Sequence, residues 1–233
     1  MSGALARLAG YDSPTLSNAI EAFGVRGFEV GFCGHGLKHL VGGPGPLVGR
    51  AVTATMGSRE KRPDAEQRAA LYEAVAAVDD PVVLVIVDED ERPGHGAFLG
   101  EVQATLFRQL GAVGIATNGA VRDLEQLRGL GFGAYAGGVA VSHAYAHLHA
   151  VNVPVVLDQM EIAPGDVLHA DEHGVLAVPS ELVERLPAVA DAIIAAEGDV
   201  LAWVGSPQFA TAEILERLAA VKTAAAGAVR TTE

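Results

Sequence analysis

The adjacent pair Arg122-Asp123 has the side-chain types and the setting in this chain that best suit chemistry. A guanidinium can fork onto a carboxylate, and an aspartate can hold a divalent cation. A short apolar, β-rich run, Val113 to Thr117, precedes the pair and ends at Asn118-Gly119, which reads as a turn. A helical pattern, Leu124-Glu125-Gln126-Leu127-Arg128, begins directly behind it. That order puts Arg122 and Asp123 at the carboxyl end of a strand, where open α/β sheets bind ligands. The same residues also suit a plain helix start, with Asp123 as the cap and Arg122 in solvent. The local pattern leaves both readings open.

The histidines offer a second kind of chemistry. His143 and His147 have the i, i+4 spacing that sets two imidazoles on one helical face, with His149 close by. A zinc site needs a further ligand, so a structural or surface role is expected for them. His169 and His173 flank Ala170-Asp171-Glu172 and are expected in an exposed turn. His35 and His39, in a glycine-rich stretch, could line a subunit interface. His95, in Pro93-Gly94-His95-Gly96, reads equally as a lid residue or as part of a solvated loop. The acidic run Asp88 to Glu91 reads as a solvated loop, and its position at a strand's carboxyl end also allows a supporting role near a metal. Cys33 is expected to be a buried small hydrophobe, with no visible activating base.

Composition limits what such residues can serve. The chain has 233 residues and a formal net charge of −13. That charge excludes a run of neutralised phosphates, so no nucleic-acid partner is expected, and an anionic membrane surface suits it no better. A small anion remains feasible where a local arginine or a metal reverses the field. One cysteine permits no intrachain disulfide, which points to the cytoplasm. Neither a signal peptide nor a membrane span is expected, since the purest apolar run is Val82 to Val87.

Elements to position these residues follow from periodicity. Asp12-Ser13-Pro14-Thr15 opens a capped short helix over Leu16, Ile20 and Phe23. Gly24 to Gly45 is loop-like, with Phe28, Val30 and Phe32 alternating as in a short strand. Val48 to Met56 alternates, and Val82 to Val87 reads as a strand buried on both faces. Asp64 to Val78 is an amphipathic helix, and Gly100-Glu101 starts another that runs to Leu110. Further strands are expected at Gly133 to Ala136, Val153 to Leu157 and Val175 to Val178. The chain from Pro179 onward reads as helical, with apolar stripes over about 180–226 that suit a subunit interface.

Several of these pieces, in this order, resemble the RraA-like proteins, which include 4-hydroxy-4-methyl-2-oxoglutarate aldolases and a regulator of ribonuclease E. The pieces are Leu16 to Ile20, Leu47 to Thr53, Gly100-Glu101-Val102-Gln103-Ala104, Asn118 to Asp123, Pro164 to Val167, Ala170-Asp171 and Gly174-Val175. The resemblance implies an α/β fold over residues 1–233: an α-β-β-α sandwich around a swivelling-type β/β/α core, assembled as homotrimers or homohexamers. It implies a Mg²⁺- or Mn²⁺-dependent lyase, a class II pyruvate aldolase that also decarboxylates oxaloacetate, acting on a small 2-oxo acid. The alternative it carries is a non-catalytic, protein-binding regulator. Within that resemblance Asp123 helps hold the metal and Arg122 binds the pyruvyl end. Backbone amides at Gly100, Glu101, Val102 and Gln103 receive the carboxylate, which suits a helix N-terminus. An acidic residue from a neighbouring subunit completes the site, and Glu197 is a candidate. The chain departs from the family at Asn118, where aldolases usually carry aspartate, and at Leu157 to Glu161, where many members have a glycine-rich turn.

Overall fold

The computed structural model of the chain describes residues 3–43 and 45–232. Met1, Ser2, Pro44 and Glu233, which the single-domain expectation also spans, lie outside the described residues. Helices α1 (Gly3–Leu8) and α2 (Ser13–Phe23) come first, then strands β1 (Phe32–Cys33), β2 (Lys38–Val41) and β3 (Leu47–Gly57). Helix α3 (Ala65–Ala76), β4 (Val82–Asp88), β5 (Ala97–Leu99), α4 (Glu101–Gln109), β6 (Ala112–Val121) and α5 (Leu124–Leu130) form the middle of the chain. Strands β7 (Gly133–Val139), β8 (His147–Val151), β9 (Val155–Leu157), β10 (Met160–Ile162), β11 (Val167–Asp171) and β12 (Gly174–Val178) follow. Two long helices, α6 (Leu186–Val204) and α7 (Ile214–Thr231), come last.

The main sheet runs β1-β12-β11-β3-β4-β6-β7-β2, with β5 added beside β6 and β8 beside β3. Strands β3, β4, β6 and β7 are parallel neighbours, and the outer pairings are antiparallel. Strand β3 reads as alternating in sequence yet is buried almost throughout, because both its edges and both its faces are covered. On one face Leu71, Phe107 and Leu127 of α3, α4 and α5 pack onto Val52, Leu84, Ile86 and Ile115. On the other, the β9–β10 hairpin lays Leu157, Met160 and Ile162 over Ala51, Val83, Val85 and Ala116. A third cluster joins α1, α2, α6 and α7 to β11 and β12. This is a mixed α/β fold with a central sheet and flanking helices. Among the described residues no helix is long and apolar enough to cross a membrane.

Several local expectations give way to tertiary pairing. Asn118-Gly119 does not turn: β6 continues through it to Val121, with a register shift against β7 between Thr117 and Ala120. The Asn118 amide is consumed by β4, accepting from the Asp88 amide at 2.7 Å and donating to the Asp88 carbonyl at 2.9 Å. Residues 143–147 are not helical. Ala144 has φ +44°, and His147–Val151 pairs as a strand with Ala54–Gly57. Phe28 and Val30 lie outside any strand and are exposed. The turn between β9 and β10 contains no glycine; Asp158 and Gln159 both take positive φ, as a two-residue hairpin of this hand requires.

Candidate active site

Strands β5 and β6 are parallel, with Leu99 opposite Val121, so their carboxyl ends emerge side by side. The Arg122 amide donates to the Leu99 carbonyl at 2.9 Å. The start of α4 at Gly100-Glu101 is thereby fixed beside Arg122-Asp123, although the two segments are 22 positions apart in the chain. Asp123 occupies the cap position of α5 but does not cap it. Its backbone is left-handed, φ 57° and ψ 46°, and its carboxylate makes no bond to that helix. The carboxylate instead reaches across to α4, where Oδ2 accepts from the Glu101 amide at 2.9 Å. A left-handed aspartate carries a conformational cost, and such backbone outliers concentrate at functional sites. Gly100 leaves the required room: a Cβ there would meet Asp123 Oδ2 and the Arg122 side chain.

A cavity of about 330 Å³ opens at this junction. Gly100, Glu101, Val102, Gln103, Arg122 and Asp123 all line it, so the structure gathers these six of the candidate residues around one space. Arg122 Nε lies 3.7 Å from Asp123 Oδ2, and both side chains are 37% exposed, leaving each able to take a further partner. The first amides of a helix have no intrahelical acceptor. With Glu101 N bonded to Asp123, the amides of Val102 and Gln103 remain for an anion. Gln103 is steadied by the Tyr72 hydroxyl at 2.9 Å.

The donor set also bears on a metal. Among the described residues no three His, Cys, Asp or Glu side chains are gathered as a ready-made cage. Mg²⁺ does not need one, because it keeps several waters and takes one or two carboxylates. A single half-exposed carboxylate in an open polar cavity fits that habit, and Asp123 is the residue that would hold the ion.

Two further lining residues were not assigned to this site from the sequence: Arg68, which nothing singled out, and His143, which was read with His147 as a structural or surface residue. Arg68 arrives from α3, held by Asp64 Oδ2 at 2.8 Å and by the Ala146 carbonyl at 2.9 Å. His143 arrives from the loop before β8; its Nδ1 lies 2.7 Å from the Ala144 carbonyl. Other candidates fall elsewhere. Asn118 is spent on β4, as described. His95 is exposed on the β4–β5 loop and does not line the cavity. That loop is pinned by the Gly94 amide, which donates to Asp88 Oδ2 at 2.7 Å. Asp88 itself is buried, not part of a solvated loop, and burial raises its carboxyl above the ordinary value. Glu197 lines a separate groove between α2, α6 and α7 within its own chain. Cys33 is buried as expected, its thiol pushed up to about 12 by burial and by Asp158. His169, expected in a turn, is 0% exposed within β11.

Comparison with known proteins shows what the chain is similar to. A family model described as RraA-like, Aldolase/RraA, matches residues 14–177. Protein DlpA of Legionella pneumophila subsp. pneumophila is 26% identical over 198 residues, covering 80% of this chain and 29% of that protein. A Thermus thermophilus protein named "Putative 4-hydroxy-4-methyl-2-oxoglutarate aldolase" is 38% identical over 84 residues, covering 36% of this chain and 51% of that one. The chain therefore spans 29% and 51% of the lengths of these relatives. Among solved structures, an uncharacterized protein from Pseudomonas syringae pv. tomato aligns with TM-score 0.69 at 23% identity, covering 90% of this chain and 91% of that one. Streptomyces coelicolor RraAS2, described as an unusual member of the RNase ES inhibitor RraA protein family, aligns with TM-score 0.66 at 22% identity, covering 87% and 96%. These likenesses show the shared fold.

Proposed function

This chain belongs to the RraA-like family, and from that premise we propose that it is a divalent-metal-dependent lyase that cleaves a small 2-oxo acid to pyruvate. One observation carries the proposal: Arg122, Asp123 and the first turn of α4 share a single cavity. A guanidinium and free helix amides suit a carboxylate, and the adjoining carboxylate suits a cation. Arg68 brings a second guanidinium to the same cavity. The substrate class that fits is therefore a 2-oxo acid with a second carboxylate, such as 4-hydroxy-4-methyl-2-oxoglutarate or oxaloacetate.

Mg²⁺ or Mn²⁺, held through Asp123 and water, would supply Lewis-acid polarisation of the 2-oxo group. Arg122 grips the 2-oxo acid end through paired N–H bonds and stays charged at any working pH. When the C3–C4 bond breaks, its electron pair delocalises onto C3 and the C2 oxygen. Arg122 stabilises the charge growing on that oxygen. The 4-hydroxyl proton leaves as C4 becomes a carbonyl. His143, which lines the cavity, would accept it: a carbonyl only accepts, so Nδ1 carries the hydrogen and a neutral ring has its lone pair on Nε2. Protonation at C3 then yields pyruvate. Loss of CO₂ from oxaloacetate passes through the same enolate and needs no such base.

We also propose a cytoplasmic homotrimer or homohexamer. Leu201, Leu215 and Leu218 on α6 and α7 stay largely exposed in the single chain, and burial between subunits would relieve that. Glu197 would then stand near a neighbour's cavity. A metal-supplemented screen of 2-oxo acids, with pyruvate read by a coupled dehydrogenase, tests the proposal. The lyase releases pyruvate from a 2-oxo dicarboxylate. A binding protein of the ribonuclease E regulator kind releases none from any of them.

A further inference from the structure

His147 and His149 stand two apart in β8, so both side chains leave the strand on one face. Their Nε2 atoms are 3.0 Å apart, with the rings tilted by 54°. The other ring nitrogens are committed. His147 Nδ1 lies 2.8 Å from the Tyr145 carbonyl oxygen, and His149 Nδ1 lies 2.7 Å from Glu89 Oε2. Carbonyl and carboxylate oxygens only accept, so each Nδ1 carries a hydrogen. In neutral rings both Nε2 atoms then present lone pairs to the same narrow gap. That contact is repulsive unless a cation shares it.

Metal-bound histidines are held in this way: the ring nitrogen away from the ion donates to a carboxylate or a backbone carbonyl, which fixes the tautomer. Two nitrogens each about 2.0–2.1 Å from one tetrahedral zinc ion stand about 3.3–3.4 Å apart, so the rings need part by only a few tenths of an ångström to admit the ion. A third donor is near. Gly57 pairs with His147 across the β3–β8 ladder, and a Cβ on Gly57 would meet His149 Nε2 at 3.0 Å and Asp90 Oδ1 at 3.2 Å. An imidazole and a carboxylate thus converge on space that only glycine leaves open. The other Asp90 oxygen is fixed by the Ser58 amide at 2.9 Å and the Ser58 hydroxyl at 2.8 Å.

We propose that His147, His149 and Asp90 form a binding site for a divalent transition metal of the Zn²⁺ class, separate from the Arg122–Asp123 cavity. Among the described residues no three His, Cys, Asp or Glu side chains are gathered closely enough to hold a metal ion as they stand, so only the His147–His149 pair is preformed. The ion draws Asp90 inward, and water fills the remaining position. Imidazole nitrogens with one carboxylate select Zn²⁺ or Cu²⁺ over Mg²⁺. The bound ion fastens β8 to the loop that follows β4.

Calorimetric titration of the full chain with Zn²⁺ alone tests this. The expected result is one ion per chain, with binding weakened at least about tenfold in His149→Gln and unchanged in Asp123→Asn or in excess Mg²⁺. His149→Cys, which keeps a soft ligand, restores Zn²⁺ binding and gives a thiolate-to-metal absorption band with Co²⁺. Absence of Zn²⁺ binding in the wild type, or equal binding in His149→Gln, overturns the proposal and leaves a shared proton between the rings. If His149→Gln fails to fold, the Co²⁺ spectrum of His149→Cys decides: no charge-transfer band overturns the site.

Discussion

Two clusters of polar side chains sit at opposite ends of the central strands and differ in how fully their groups are satisfied. Beside the start of β3, His169 is buried in β11 opposite Val48. Its Nδ1 accepts from the Ser13 hydroxyl at 2.9 Å, and its Nε2 donates to the Tyr11 carbonyl at 3.0 Å. Asp171 accepts from the Ser13 amide at 2.6 Å and from the His173 amide at 2.9 Å. Among the described residues no buried side-chain nitrogen or oxygen lacks a hydrogen bond. At the carboxyl ends of β5 and β6, Arg122 and Asp123 are half-exposed, share one loose ion pair and keep capacity for a ligand. A nucleophile-like Ser–His contact with every partner internal is architecture, whereas an open Arg–Asp pair beside a helix start is a place to bind. Chemistry-bearing residue types do not separate the two clusters, but their unfilled valence does.

Mutation should split the clusters cleanly. Arg122→Ala is expected to lower kcat for pyruvate release about 10²–10³-fold, as for loss of an oxyanion donor, with the melting temperature nearly unchanged. Arg122→Lys keeps the charge without the fork and retains part of the rate. Steady-state kinetics paired with thermal melts would show whether the effect is confined to catalysis.

The opposite signature belongs to Ser13→Ala, which leaves buried His169 Nδ1 without its donor. It should cost about 1–3 kcal/mol in urea unfolding while leaving the activity per folded molecule intact. Equal loss of kcat in this variant would erase the distinction between the clusters.

Acid sharpens the comparison further. Burial lowers the His169 pKa, so the folded state resists a proton that the unfolded chain accepts from about pH 6.5 downward. Burial would raise Asp171, but the amides of Ser13 and His173 hold its carboxyl below the ordinary value. The stability from Asp171 is present above the unfolded carboxylate pKa and is lost as pH falls through the folded one. Both groups destabilise the fold in acid, His169 first. Urea melts at pH 7.5 and 5.5 should show this loss, and a flat profile would contradict the His169 assignment.

The smallest expected effect is that of Arg68→Ala. It should raise KM for 2-oxo dicarboxylates about tenfold and spare 2-oxo monocarboxylates, since only one charged hydrogen-bond partner is removed. Equal effects on both substrate classes would remove Arg68 from recognition of the second carboxylate.

What sequence could reveal followed the range of the forces involved. The Arg122-Asp123 position was legible because an apolar strand running into a helical stripe fixes a strand end by local pattern. The role of Asp123 was not, since its carboxylate serves α4 and local chemistry suggested α5. Asn118-Gly119 has turn chemistry, yet pairing with Asp88 in β4 holds it extended. The His143–His147 spacing matched a helix, but β3 claims residues from His147 onward as a ladder partner. Arg68 and His143 reach the cavity from distant elements, and no single-segment pattern records that convergence.

The central claim is that the Arg122–Asp123 cavity performs metal-dependent cleavage to pyruvate. The most direct measurement is pyruvate release from a panel of 2-oxo dicarboxylates by the wild type with Mg²⁺, by the same protein after exhaustive EDTA treatment, and by folded Asp123→Asn. The account predicts turnover in the first case, its loss in the second with recovery on adding Mg²⁺ or Mn²⁺, and a large loss in the third. Undiminished turnover after chelation, or in Asp123→Asn, would contradict it.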